Sequence, residues 1–238
     1  MSRYSVALLS CLFVVAIAII GCGGGGGGGG GSSNPVGPTV LNSGEMANLS
    51  GTVLFDNAPL AFASVFLYKS EKAHTIGMAQ LPSLKGSLVA QQVIGDGAYT
   101  TTTDAAGIYN FINVPVGQYT LIAMRDENHQ FVQTGVLLGQ VTTLNPQLKP
   151  TGKITGKVTQ SVGGVTQNIS GAFVYITGTC YIALTDASGT FMLSNVPSNS
   201  LGEASYEVQV IHALGDTPAK TGITVYPGEA TDIGIFSL

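Results

Sequence analysis

"TDAAGIYNFINVP" (103–115) and "TDASGTFMLSNVP" (185–197) align without a gap, Thr103 falling 82 residues before Thr185. Working outward, the match continues on both sides. "LSGTVLFDNAPLAFASVFLY" (49–68) corresponds to "ITGKVTQSVGGVTQNISGAFVYI" (154–176), and "GQYTLIAM" (117–124) to "ASYEVQVI" (204–211). "TGVLLGQVTTLNPQL" (134–148) corresponds to "TGITVYPGEATDIGIFSL" (221–238). The chain therefore carries one unit twice, and the unit decides the fold.

Each piece has a physical reading. Asp104-x-x-Gly107 and Asp186-x-x-Gly189 predict hairpin turns, with Asp bonding its own backbone and Gly supplying the positive φ before the next strand. In the strands that follow, Tyr109 and Phe111 share a face, as do Phe191 and Leu193. Pro115 and Pro197 end them, since proline cannot donate to a ladder. Tyr119, Leu121 and Ala123 alternate with Thr120 and Ile122; in the second copy Tyr206, Val208 and Val210 point in, Glu207 and Gln209 out. Short alternating strands between Gly, Pro, Asn and Asp predict an all-β protein of two tandem antiparallel Ig-like or prealbumin-like β-sandwiches, about 90–105 residues each.

These motifs resemble the carboxypeptidase regulatory-like domain, a transthyretin-like sandwich related to Cna-type B domains. The residues that carry the resemblance are Gly51-Thr52-Val53, Ala63 to Leu67, Thr103 to Pro115, Gly117 and Tyr119. In the second copy they are Gly156-Lys157-Val158, Ala172 to Ile176, Thr185 to Pro197 and Tyr206. The resemblance implies a fold and leaves function open, because such modules are accessory parts of many secreted proteins. The family's zinc catalytic domain has no counterpart here. The Lys–Asn cross-link of Cna-type B domains is not expected either: the positions of its glutamate hold Ala123 and Val210.

The N-terminal region predicts an address. Arg3 precedes an apolar run from Val6 to Ile20, about 15 residues and short of the roughly 20 that span a bilayer. Ile19-Ile20-Gly21-Cys22 resembles the lipobox of bacterial lipoproteins, which implies cleavage after Gly21, lipid on Cys22 and attachment to a membrane. Nine glycines follow Cys22. As a flexible coil, the roughly 23 residues before the first strand reach about 25–30 Å. The expected division is a signal peptide over 1–21 and a tether over 22–45. Sandwiches follow over 46–150, with an insertion about 70–98, and over 151–238. Gly23 lacks the aspartate associated with inner-membrane retention, so the outer membrane is the expected site.

Composition narrows the chemistry. Of 238 residues only 9% are charged and the formal net charge is −4, which offers nucleic acid no basic surface. Once Cys11 leaves with the signal and Cys22 takes lipid, Cys180 has no disulfide partner; it is expected to be a buried structural thiol sharing a strand face with Ile182 and Leu184. His74, His129 and His212 fit no zinc-peptidase or haem spacing, and no nucleophile elbow occurs. Neither cofactor nor metal is expected, since each Asp-x-x-Gly turn offers one carboxylate that turn formation already explains. A His74/Met78 pair four residues apart lies in the insertion.

Binding is the favoured class, as a structural, protein-binding or adhesion module. Carbohydrate binding on a starch-binding-like fold is the alternative, and an unrecognised enzyme the remote one. If Ala63, Val65 and Leu67 point inward, Phe66 and Tyr68 point outward, and Phe173 and Tyr175 do the same in the second copy. These four aromatics are either a patch for an envelope protein or glycan, or lie under the insertion or the neighbouring sandwich. Tryptophan, common in sugar platforms, is absent.

Overall fold

The computed structural model describes residues 44–70, 98–200 and 203–238 apart from 214 and 218. The predicted signal, lipobox, Cys22, most of the tether, most of the insertion and the His74/Met78 pair lie outside the described residues. The regular structure described is strand, with no α-helix.

In the first copy the strands are β1 (Met46–Thr52), β2 (Leu54–Phe55), β3 (Ala58–Pro59), β4 (Ser64–Lys69), β5 (Ala98–Thr102), β6 (Ile108–Pro115), β7 (Gly117–Asp126) and β8 (His129–Leu138). The second contains β9 (Lys149–Val162), β10 (Val165–Asn168), β11 (Phe173–Ile176), β12 (Ile182–Leu184), β13 (Thr190–Pro197), β14 (Tyr206–His212), β15 (Gly215–Asp216), β16 (Lys220–Ile223) and β17 (Ala230–Ser237).

The sequence repeat is a topological repeat. β1 pairs antiparallel with β6, and β9 with β13, in the same register: Gly51 faces Tyr109 and Gly156 faces Phe191. In the opposite sheets β4 lies between β5 and β7, and β11 between β12 and β14. One feature departs from the antiparallel expectation. β17 runs parallel to β9, and Thr143 and Gln147 bridge in parallel to Ser50 and Leu54 beside β1. Alternation records which face a residue takes and carries no strand direction, so the parallel closure had no sequence signal.

The turns form as the Asp-x-x-Gly motif predicts. Ala106 and Ile108 N–H donate to Asp104 Oδ1 at 2.8 and 2.9 Å, and Ser188 and Thr190 N–H donate to Asp186 Oδ1 at 2.8 and 2.9 Å. Gly107 and Gly189 take φ of 77° and 75°. The Asn of each Asn-Val-Pro is left-handed too, Asn113 at 55° and Asn195 at 59°, where the ladder shifts register. Gly51 and Gly156 lie under the parallel closure. A Cβ on Gly51 would lie 1.7 Å from the Leu144 carbonyl oxygen, and one on Gly156 2.8 Å from the Gly234 carbonyl oxygen of β17 and 2.7 Å from the Phe191 ring of β13.

Two cores result. The first holds Leu49, Val65, Leu67, Tyr109, Phe111, Tyr119 and Leu121, all from the first copy. The second holds Ile154, Val158, Val174, Phe191, Leu193, Val208 and Val210, together with Phe66, Tyr68, Ile122 and Met124 from the first. β7 is thus buried on both faces. At the junction His129 and Gln130 of β8 pair with Pro150 and Lys149 of β9, so one sheet path runs from β5 through β9 to β10.

Candidate functional site

The expected aromatic positions lead to the contact between the copies. β4 turns Phe66 and Tyr68 away from its own core, as the alternation requires, and both are buried. What covers them is the turn after β11, residues 177–181 ("TGTCY"), which brings Cys180 and Tyr181 into the same cluster. Thr120 Oγ1 donates to the Gly178 carbonyl at 2.6 Å, and the Tyr181 hydroxyl donates to Gln130 Oε1 at 2.8 Å. Thr120 and Gln130 have no exposed surface, so these bonds satisfy polar groups sealed between the copies.

Phe173 and Tyr175 are buried as well, at 6% and 9% exposure, in a small cluster with Ile182 and Ile211. Their rings stack at 5.5 Å, and the Tyr175 hydroxyl donates to Gln209 Oε1 at 2.5 Å. The four aromatics therefore form no open strip. The outward direction read from alternation is correct for Phe66 and Tyr68, but outward from one sandwich is inward to the other.

Cys180 also differs in detail. It is a buried thiol, but it sits in the turn before β12 and belongs to the core between the copies. Ile182 joins Phe173 and Tyr175, and Leu184 is exposed. The turn ends later than the periodicity suggested, so alternation starts only at Ile182. Burial pushes the Cys180 thiol up to about 11, and burial likewise raises the Tyr68 and Tyr181 hydroxyls above the usual phenol range. A thiol so placed is a poor nucleophile. The Tyr68 hydroxyl faces Cys180 and has no other partner among the described residues.

Beside the junction lies a cleft of about 650 Å³, with Gln133 and Thr134 of β8 on one wall and Tyr206 and Glu207 of β14 on the other. Its charges are spoken for. Lys149 pairs with Glu203, and that bond holds the Glu203 carboxyl below the usual carboxylate range. Thr177 Oγ1 donates to Glu207 Oε1 at 2.9 Å. Outside the cleft, at the turn between β7 and β8, His129 Nδ1 lies 3.0 Å from Asp126 Oδ1. Burial alone would raise Asp126, but bonds from Asn128 N–H and His129 outweigh it and lower the carboxyl. Among the described residues no group of three or more His, Cys, Asp and Glu side chains could hold a metal ion.

Sequence reasoning missed the threonine of each Thr-Asp. Thr103 Oγ1 accepts from Ala63 N–H at 2.8 Å and donates to the Leu60 carbonyl at 2.7 Å. Thr185 Oγ1 accepts from Ala172 N–H at 2.9 Å and donates to the Ile169 carbonyl at 2.7 Å. Each threonine ties its hairpin to the start of the facing strand. The tyrosine after Asn-Val-Pro is equally fixed: Tyr119 donates to the Pro115 carbonyl and Tyr206 to that of Pro197, both at 2.7 Å. Their appearance at matching places in both copies was the available signal.

Strands, turns and cores define an Ig-like β-sandwich protein. No protein-family model matches the chain, and no curated protein matches it. Among solved structures it is similar to GBS52, the minor pilin of Streptococcus agalactiae, at 12% identity over 79% of this chain and 95% of that one, TM-score 0.34. It is similar to the TIE protein of Bacillus anthracis at 13% identity over 81% of this chain and 34% of that one, TM-score 0.29. A third likeness is to shaft pilin SpaA of Lactobacillus rhamnosus GG, at 12% identity over 81% of this chain and 98% of that one, TM-score 0.27. These likenesses concern the fold alone.

Proposed function

We propose that this chain is a non-catalytic, lipid-anchored protein of the cell envelope, in which two carboxypeptidase regulatory-like modules, over 46–150 and 151–238, act together as a structural or adhesion element. The observation that carries the reading is the use of the first module's outer face. Phe66, Tyr68, Ile122 and Met124 are spent inside the molecule on a fixed junction with the second module. Such a junction suits a stiff spacer, whereas a carbohydrate-binding module needs its aromatics open to solvent. The polar groups of the described residues support the same reading, since the aspartates and threonines of both hairpins are taken up by turns.

In this reading Cys22 is the acylated N-terminus, residues 1–21 are removed, and 22–45 hold the modules clear of the outer membrane. Metabolic labelling with an alkyne fatty acid tests it. Wild-type chain takes the label and partitions into detergent; Cys22→Ser takes none. A labelled Cys22→Ser chain overturns the anchor.

A further inference from the structure

Five non-glycine residues among those described have positive φ: Asp56, Asn57, Phe62, Asn113 and Asn195. Four are Asp or Asn, the types that tolerate the left-handed region. Phe62, at φ 60°, is not. The repeat supplies its reference: Phe62 N–H donates to the Thr103 carbonyl at 3.1 Å, and at the same point of the second copy Gly171 N–H donates to the Thr185 carbonyl at 2.9 Å. Gly171 has φ 76°. The turn thus demands a left-handed residue, one copy meets the demand with glycine, and the other places a phenylalanine there. Nor does packing compensate, because Phe62 is 78% exposed. A lone exposed apolar residue is ordinary. One that is exposed and held in a disfavoured backbone region is costly twice over, and such outliers gather at functional positions.

We infer that Phe62 is the anchor of a protein-docking surface at this end of the first sandwich, and that its partner offers an apolar pocket rimmed by basic side chains. Exposed Ala58 and Pro59 of β3 and Ile108 of β6 supply the apolar surround. The loops 56–62, 103–107 and 125–128 carry Asp56, Asp104, Asp126 and Glu127 against Arg125, an acidic excess that selects a basic rim. Arg125 is further engaged over the Phe55 ring at 4.6 Å. An aromatic centre with a charged periphery is the usual composition of a binding hot spot.

The inference relies on the surface-module reading only for where the partner is sought, and its first test is independent of that reading. Full-length wild type, Phe62→Ala and Phe62→Gly are melted side by side. Phe62→Gly, relieved of the left-handed cost, is expected to melt about 2 °C or more above wild type, and above Phe62→Ala. A Phe62→Gly chain that melts below wild type shows the ring serving its own fold and overturns the inference. The second test places p-benzoylphenylalanine at 62, with the exposed Tyr226 position as control, and irradiates host cell envelopes. A discrete adduct with another protein, specific to position 62 and weakened several-fold by about 0.5 M salt, is expected. No adduct, an adduct with lipid or glycan, an adduct with a second copy of this chain, or one unmoved by salt overturns it.

Discussion

β7 and β14 are the same strand of the same repeat, yet they live in different surroundings. In β7 the residues facing away from the first core, Thr120, Ile122 and Met124, are buried beneath the second copy. In β14 the matching residues, Glu207, Gln209 and Ile211, are half-buried, and Glu207 lines the open cleft. One strand is a partition between two cores; the other is the wall of one. A repeat therefore conserves its inner face by folding and frees its outer face for whatever the neighbour requires. "YTLIAM" against "YEVQV" already records the difference, as a continuous apolar run against a strict alternation.

The largest effect should come from charging the partition. Ile122→Glu places an unpaired carboxylate between the copies and is expected to cost about 3–5 kcal/mol, lowering the melting temperature by roughly 10 °C or more. The matching position in β14 holds the half-buried polar residue Gln209, with Glu207 beside it on the same face. If Ile122→Glu melts within 2 °C of wild type, the two strands are not differently buried and the fused junction is wrong.

Next come the glycines of the parallel closure. Gly51→Ala drives a methyl into the Leu144 carbonyl at 1.7 Å, and Gly156→Ala drives one against the Phe191 ring and the Gly234 carbonyl at 2.7 and 2.8 Å. Overpacking costs about 1–3 kcal/mol, and the closer approach needs the larger backbone shift, so Gly51→Ala should be the more damaging in chemical denaturation. The reverse order would place the close approach in the wrong copy.

The hairpin threonines should behave alike. Thr103→Val and Thr185→Val each strip a buried N–H and a carbonyl of their partner, for about 1–3 kcal/mol apiece. Urea midpoints of the two variants should agree closely, because the bonding is the same in both copies. A large gap between them would break the equivalence.

Cys180 adds a dependence on pH. Its thiol is raised from 9.0 to about 11 in the folded chain. Below pH 9 both states hold the proton and the contribution is constant. Between pH 9 and 11 the unfolded thiol ionises first, so the unfolded state binds fewer protons and stability falls, by about 2 kcal/mol. Cys180→Ala should lose less stability across that window, measured by urea unfolding at each pH. The smallest effect belongs to Tyr68→Phe, which removes a hydroxyl with no partner beyond Cys180 among the described residues and should leave the midpoint unchanged or slightly raised.

The sequence by itself determined the unit and its repetition. Asp-x-x-Gly fixes two hairpins because only that pairing gives a self-bonded start and a left-handed end. Tyr109, Phe111, Phe191 and Leu193 fix two inner faces because strand periodicity is local. It also marked the first strand of each copy with a glycine, without the reason for it. Tertiary structure alone decided what lies over an outward face. Phe66 and Tyr68 look identical in sequence whether they meet solvent, a glycan or another module, since alternation specifies direction and says nothing of what waits there. The parallel return of the last strand, the threonine ties and the seating of Cys180 between the copies belong to the same category. Each depends on contacts between residues far apart in the chain, and no local pattern carries them.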